Sequence, residues 1–325
     1  MDRNLDYTLL YRVAKAYFMD QRTQQEIADV ENFSRSQISR LLKKALDERL
    51  VRYSLTFPTD VDENELSRKL TEVLGVRKVV LVPSFYHNYS QVSIEEINKN
   101  LAIGAAERLE ELLGDSGTVG LGWGRAMYNT SLYVRSVLKP VCDREFVPLI
   151  GLSGDHNPML QINTIVDRFG ERFHANRFYV NMQSLQQRDV GESCNSGFPQ
   201  SLLDKWEHLD GAVVGLGSPP ANNYNLIAEF PGNYKQQLRC SGTVGDILSQ
   251  FFYEDGRILE LDSQFSLLAL SIDRLREIPN VIVIAAGVDK ILPICVASRM
   301  GYVKTLVTDY DTAKIILNQK GENLQ

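Results

Sequence analysis

Cysteine is scarce in this 325-residue chain. Its four thiols, at positions 142, 194, 240 and 295, stand far apart and form no CxxC pair. That spacing argues against a structural zinc site or a disulfide framework and suits buried free thiols in a reducing compartment. Long apolar runs are also missing. No stretch of about 18 apolar residues is present to span a bilayer, and no apolar signal region opens the chain. The expectation is a soluble, cytoplasmic protein without a membrane partner. The four histidines are isolated: His156 and His174 have no ligand-spaced partner. HxxxH, GxSxG and Walker loops are absent, so neither a metal site, a cofactor nor a catalytic residue is expected. A general excess of positive charge is lacking too. The formal net charge of −6 excludes a wholly basic nucleic-acid coat. What is there is a globular composition, 44% hydrophobic and 23% charged, long enough for a small domain and a large one, or for two of medium size.

The charge is unevenly placed. Residues 33–52 hold six Lys or Arg (35, 40, 43, 44, 49 and 52) against two acids, at 47 and 48. This basic stretch belongs to RTQQEIADVENFSRSQISRLLKKALDERLVR, residues 22–52, which reads as two short helices. Thr23 can cap the first, with Glu26 at the capping-box spacing. Ile27 and Ala28 supply its buried side, and Val30 to Phe33 read as a turn. Ser34 is the next N-cap candidate. From there Ile38, Leu41, Leu42, Ala45 and Leu46 recur at helical spacing. The opposite face carries Arg35, Ser36, Gln37, Ser39, Arg40, Lys43 and Lys44. Such donors suit phosphates and the major groove, where Arg reads guanine and Gln reads adenine bidentately. The pattern resembles a helix-turn-helix with its recognition helix opening near Ser34. The DNA-contacting set then comprises Thr23, Gln24 and Gln25 on the first helix with that polar face of the second. An ordinary helical hairpin with a solvated basic face is the competing reading.

A helix over 5–19, with Leu9, Leu10, Val13, Ala16 and Tyr17 at helical spacing, completes a three-helix core. A short strand is expected at 50–57, and Pro58 with the acidic residues after it marks a junction. Beyond it come a helix over 62–75 ending at Gly75, an apolar run stopped by Pro83, a loop over 84–92, and a long helix over 93–113 capped by Ser93. Strands at 117–121, 145–150, 177–181, 211–216, 281–286 and 303–307 then alternate with helices at 126–138, 158–170, 199–207, 265–276, 289–299 and 310–318. That alternation predicts a parallel sheet with helices on both faces. The domain boundaries expected are 1–58 and 59–325.

Ligands in such sheets bind outside the carboxyl ends of the strands. Gly120–Tyr128, GLGWGRAMY, places Gly122 and Gly124 before a helix start, where backbone N–H groups can meet an anion. Arg125 can add a charged fork, and Trp123 an apolar face for a sugar. A plain tight βα turn is the competing reading. Gly151 to Gly154 follow the second of these strands, and Gly215 to Pro220, with Gly217 and Ser218, follow the fourth. Residues 241–256 read as a helix opening at Gly245–Asp246, Asp246 being either its N-cap or an acceptor for ligand hydroxyls. Asp289 and Lys290 close a buried strand and open a helix.

The order of TQQEIADVENFSRSQISRLLKKALDERLV, GLGWGRAMY, FVPLIG, VGLGS, GTVGDILSQFFYEDG and VIVIAAGVDKILPICVASRMGYVKTLVTDYDTA resembles the sorbitol-operon-regulator (SorC) family of sugar-responsive transcriptional regulators, over nearly the full chain. The resemblance implies a winged-helix-like DNA-binding domain and a parallel-sheet α/β effector and oligomerisation domain like the sugar-phosphate isomerases and deaminases, without their catalysis. It implies operator DNA and a sugar, polyol or sugar phosphate as partners, and a homo-oligomer, dimer or tetramer. Carried over by motif, Trp123, Gly124, Arg125 and Ala126, then Asp246 and Leu248, then Lys290 face the effector. The family's first loop commonly has threonine where Ala126 stands. Without that hydroxyl, Arg125 and backbone amides remain for a phosphate, or the ligand is unphosphorylated. The rival reading is an isomerase or deaminase with a helical appendage, which needs a placed base; no such group stands out in the strand-end loops, and Asp246 and Asp289 stay open for the role.

Overall fold

The computed structural model describes residues 7–48, 50–51, 63–84, 93–137, 140–153, 161–187, 197–221, 232–260 and 264–321. The expected strand at 50–57 and loop at 84–92 fall almost wholly outside them, as do Gly154, His156 and Cys194. Two compact units divide the chain: Met1–Pro58 with the short pieces Arg135–Pro140 and Arg172–His174, and the remainder.

In the first unit α1 (Tyr7–Phe18), α2 (Gln24–Glu31) and α3 (Arg35–Asp47) form a three-helix core. Val13, Ile27, Ala28, Ile38 and Leu42 pack as one cluster, and Leu10, Ala14 and Ala45 as another. Both capping boxes form. Thr23 N donates to Glu26 Oε2 at 2.7 Å and Glu26 N to Thr23 Oγ1 at 3.2 Å; Ser34 and Gln37 repeat the arrangement on α3. Val30 and Glu31 stay helical, so the turn is shorter than the sequence indicates. Asn32 ends α2 in the left-handed conformation at φ 57°, where its short polar side chain is tolerated.

The second unit opens with α4 (Glu63–Leu74), β1 (Lys78–Val82), α5 (Ile94–Leu113), β2 (Thr118–Leu121), α6 (Arg125–Tyr133), β3 (Glu145–Pro148), α7 (Ile162–Phe173) and β4 (Asn176–Arg177). It continues through β5 (Leu185–Gln187), α8 (Gln200–Glu207), β6 (Gly211–Gly215), α9 (Gly232–Cys240), β7 (Gly245–Ile247), β8 (Gln250–Phe252) and β9 (Phe265–Leu267). It closes with β10 (Asn280–Ile284), α10 (Ile291–Arg299), β11 (Thr305–Asp309) and α11 (Tyr310–Gln319). Seven strands make one parallel sheet in the order β1-β11-β10-β6-β2-β3-β4. Its central strands are apolar on both sides: Val119, Leu121, Phe146, Val147, Ala212, Val213, Val214 and Val281 to Ile284 are all buried. That is the pattern of a sheet covered by helices on both faces, and each such Val, Leu, Ile or Phe side chain contributes about 1.5–3 kcal/mol. α5 packs with α6, while α4, α10 and α11 pack with one another.

The sheet changes direction at its centre. From β2 the chain moves outward to β3; from β6 it moves the other way to β10 and β11. The crevice between the carboxyl ends of β2 and β6 is therefore the switch point at which open α/β sheets hold ligands.

Four expectations are corrected. Residues 241–256 do not form a helix: β7 and β8 pair as an antiparallel hairpin, Gly245 opposite Phe252, so Asp246 is a strand residue and caps nothing. Residues 265–276 begin as β9, antiparallel to β5 with Leu267 opposite Leu185, and only Ile272–Arg276 turn helical, as a short 3-10 segment. In the first place a two-residue turn at Leu248–Ser249 closes a local hairpin; in the second, long-range pairing with β5 overrides the local pattern. The strand expected at 177–181 shrinks to the two residues of β4 at the sheet edge, and α9 was not foreseen. Finally, Cys142 and Cys240 are exposed and Cys295 is half-buried, not sunk in the core.

Candidate functional site

On the three-helix unit Arg35, Ser36, Gln37, Ser39, Arg40 and Lys43 are exposed and Lys44 half-buried. Gln37 differs from the others. Its Oε1 accepts from Ser34 N at 2.8 Å and from Ser34 Oγ at 2.9 Å, so its amide serves the cap of α3. Ser36 Oγ lies 2.9 Å from Ser34 Oγ. Gln25 Nε2 donates to Asp29 at 2.8 Å. A cavity of about 590 Å³ at the start of α2 gathers Thr23, Gln24, Gln25 and Arg35 with Arg22, Gln21, Tyr17 and Phe18.

On the sheet unit the residues of β2, β6, the β7–β8 hairpin and the β10 end come together. A Cβ placed on Gly215 would lie 3.7 Å from the Cβ of Ala126 and 3.8 Å from the carbonyl oxygen of Trp123, so the first loop and the end of β6 touch. A Cβ on Gly122 would meet Leu248 Cδ2 at 3.3 Å, which brings the hairpin to the same place. Gly217 N donates to the Asp246 carbonyl at 2.8 Å. Ser218 Oγ donates to Asp289 Oδ2, and Lys290 Nζ donates to Ser218 Oγ at 2.7 Å. Gly124 caps α6 at φ 102° with no side-chain cap, leaving that helix's first amides uncovered beside exposed Arg125. Trp123 is half-buried.

Gly151 plays another part. A Cβ there would strike the Ser184 backbone at 2.7 Å, and its N–H donates to Leu268 O at 2.8 Å. It admits the β5–β9 segment against the end of β3 and is not gathered with the others.

Asp246 is the centre of the cluster. It is 3% exposed, and its Oδ1 has no hydrogen-bond partner. Burial raises its pKa to about 6; Lys290 and the Ser249 backbone N–H act in the opposite direction. Burial lowers the Lys290 ammonium's pKa, countered by Asp289 and Asp246, with Arg125 lowering it further. An unpartnered buried carboxylate oxygen is costly unless a ligand donor reaches it. The turn carrying it is strained as well: Leu248 and Ser249 stand at φ 53° and 60°. Two adjacent left-handed residues are a hairpin turn that usually takes Asn-Gly, and such strain persists where surrounding structure enforces it. Ser249 was missed in the sequence because its contribution is a backbone N–H.

Another cavity, of about 760 Å³, lies at the amino ends of the strands around Asp210 and Asn280. Its polar groups already serve the fold: Asp210 accepts from Gly117 N and Thr118 N, and Lys78 pairs with Glu111. Among the described residues no group of three His, Cys, Asp or Glu is placed to hold a metal, and no helix is long and apolar enough to cross a membrane.

A family described as "Putative sugar-binding domain" matches residues 61–318. The chain belongs to this sugar-binding-domain family. It is also similar, at 27% identity over 98% of its length and 100% of the relative's, to the Sorbitol operon regulator of Klebsiella pneumoniae. Transcriptional regulator LsrR of Escherichia coli K12 is 26% identical over 94% of this chain and 93% of its own. Among solved structures, the full-length Sorbitol Operon Regulator SorC from Klebsiella pneumoniae superposes with TM-score 0.72 at 24% identity, covering 97% of this chain and 99% of that one. A DeoR family transcriptional regulator from Listeria monocytogenes gives TM-score 0.66 at 26% identity over 78% and 99%. These relatives of the sugar-binding-domain family are regulators, not enzymes, and the family's stretch contains the whole Asp246 cluster.

Proposed function

We propose that this protein is a DNA-binding transcriptional regulator of a carbohydrate or polyol utilisation operon, switched by a sugar, polyol or sugar phosphate. Residues 1–58 form the DNA-binding domain and residues 59–325 the effector and oligomerisation domain. The observation that carries the reading is Asp246, whose buried, unpartnered oxygen lies against Gly217 just past the end of β6 in a sugar-binding domain, where a ligand hydroxyl is the donor it lacks. Gly122, Trp123, Gly124, Arg125 and Ala126, with Gly217, Ser218, Leu248, Asp289 and Lys290, complete the pocket. Arg125 and the open amides of α6 supply an anion-binding end. The protein works in the cytoplasm as a dimer or tetramer, because one recognition helix covers few base pairs and a tight site needs repeated half-sites.

The relative named for sorbitol makes sorbitol and sorbitol 6-phosphate the first probes. Isothermal titration is expected to show one of them, or another sugar or polyol of that class, binding the wild type and binding Asp246→Ala and Lys290→Ala far more weakly. Variants that bind as tightly as wild type and still release DNA would put the pocket elsewhere.

On DNA, Arg40→Ala is expected to cost about 1–3 kcal/mol and relax specificity at one position. Arg35 shares that base-reading role, with Ser39, Lys43, Lys44, Thr23, Gln24 and Gln25 on the backbone. Gln37→Ala is expected instead to lower the melting temperature, since it removes the oxygen that accepts from Ser34 N in the capping box of α3, a hydrogen bond worth about 0.5–1.5 kcal/mol. Anisotropy titrations and melting curves check both. A Gln37→Ala protein that melts normally but loses sequence preference would return Gln37 to base reading.

A further inference from the structure

The β7–β8 hairpin turns on two residues, and neither is glycine. Ile247 pairs with Gln250, and between them Leu248 and Ser249 stand at φ 53° and 60°. Side chains rarely adopt this left-handed backbone, and it persists only where the surroundings fix it. Both residues are buried. A hairpin of three residue pairs is too short to impose such a turn by itself, so each flank needs a hold.

On the β7 flank, Gly217 N donates to the Asp246 carbonyl at 2.8 Å. On the β8 flank the hold is the side chain of Gln250. Its Nε2 donates to Leu270 O at 2.8 Å, and its Oε1 accepts from Ile272 N at 3.0 Å. The reversed amide would set N–H against N–H and oxygen against oxygen, so this orientation alone satisfies both. A carbonyl and the N–H two residues on are the groups that a neighbouring parallel strand engages; here one glutamine amide takes that place. The clamped segment is fastened in turn. Leu270 N donates to Leu149 O, and Gly151 N to Leu268 O, both at 2.8 Å, at the end of β3.

Gln250 therefore ties the turn beside Asp246 to the main sheet. The consequence shows at Gly217. A Cβ there would overlap Asp246 Oδ1, so the carboxylate lies directly against that Cα. We propose that Gln250 is a positioning residue: its amide clamps the Leu248–Ser249 turn to residues 270–272 and so keeps Asp246 in place against Gly217. It acts through the hairpin backbone. Its meaning for ligand binding rests on the effector reading of Asp246; the clamp itself does not.

Two measurements on the full, ligand-free chain test the clamp. The first is hydrogen exchange. Gln250→Ala removes the acceptor of Ile272 N and is expected to speed exchange of that amide about 3- to 10-fold, the ratio set by one lost hydrogen bond. The Gly217 amide, on the other flank, is expected to speed as well, because the Asp246 carbonyl that protects it shifts. The second is a double-mutant cycle. Gly217→Ala drives a methyl into the Asp246 carboxylate, and a released hairpin can yield to it. The factor by which Gly217→Ala lowers the folding constant is therefore expected to be about 3- to 10-fold smaller in the Gln250→Ala background. A residue that steadied only its own segment would give additive losses. Gln250→Glu keeps the acceptor for Ile272 N and loses only the donor to Leu270 O. It goes through both measurements with the same expectation at Gly217, which keeps the test decisive should Gln250→Ala not fold. Overturning results are a Gly217 amide that exchanges as in wild type, or additive losses in the cycle. Sugar titrations of Asp246→Ala are read separately, so failure of the clamp and failure of the pocket assignment are told apart.

Discussion

Asp246→Asn is expected to be more stable than wild type at pH 8, by about 3 kcal/mol, and close to it at pH 4. The reason is the burial of a carboxyl with one oxygen unpartnered, which lifts its pKa from the ordinary 3.8 to about 6. A raised pKa means that the folded chain holds this proton more tightly than the unfolded chain does. The contribution of Asp246 to stability is fully present below pH 3.8 and is lost as pH rises through about 6. Above that, folding must keep a buried carboxylate ionised. Lys290 and the Ser249 N–H already moderate the shift, and Lys290 keeps Ser218 and Asp289 in the variant. Asparagine has no charge to bury, so the pH-dependent loss disappears. Denaturant unfolding at several pH values between 4 and 8 checks this. Parallel curves for the two proteins would remove the claim. The same variant is expected to bind sugars poorly, the exchange of stability for function that a strained binding site implies.

Much of this architecture was legible in the sequence because it is locally encoded. Thr23 with Glu26 and Ser93 with Glu96 mark two helix starts at capping-box spacing, Ser34 marks a third as an N-cap, and capping boxes form at all three. The buried strands read as apolar runs, and their alternation with helices fixed the parallel sheet. What failed lacked a local signal. Residues 241–256 carry a Gly-Asp that reads as a helix start, but the segment is a hairpin held by Gly245 opposite Phe252 and by Ser249 N–H on the Asp246 carboxylate. Leu248–Ser249 contains no Gly or Asn to announce its turn. β9 needs β5, about 80 residues earlier, to become a strand. Gln37 was legible as an exposed donor on a basic face; that its amide is occupied by Ser34 follows only from the rotamer. Of the strand-end glycines, Gly122 and Gly217 meet at the cluster whereas Gly151 faces the β5–β9 segment, a distinction that no spacing contains.

Gly217→Ala is expected to have a large effect for a single added methyl. A Cβ at position 217 would lie 1.6 Å from Asp246 Oδ1, 2.6 Å from its Cγ and 3.2 Å from Oδ2. Gly217 is not among the residues with positive φ, so its backbone accepts alanine and the obstacle is space alone. The carboxylate has little freedom to retreat. It sits on β7, its own carbonyl accepts from Gly217 N at 2.8 Å, and Gly245 beside it is closed in by Pro293 and Phe252. Either the hairpin shifts or Asp246 leaves its place, at about 1–3 kcal/mol or more of stability, and sugar binding is lost in both cases. Asp246→Ala in the Gly217→Ala background removes the clash. The double variant should recover most of the lost stability without recovering binding, a non-additivity that residues in contact show and distant ones do not. Gly124→Ala is the contrast: φ is 102° and nothing lies within 4 Å of the new Cβ, so its cost is backbone strain alone. Unfolding curves and sugar titrations on the four proteins decide the matter. A Gly217→Ala variant that folds and binds like wild type would mean that Asp246 does not occupy the crevice.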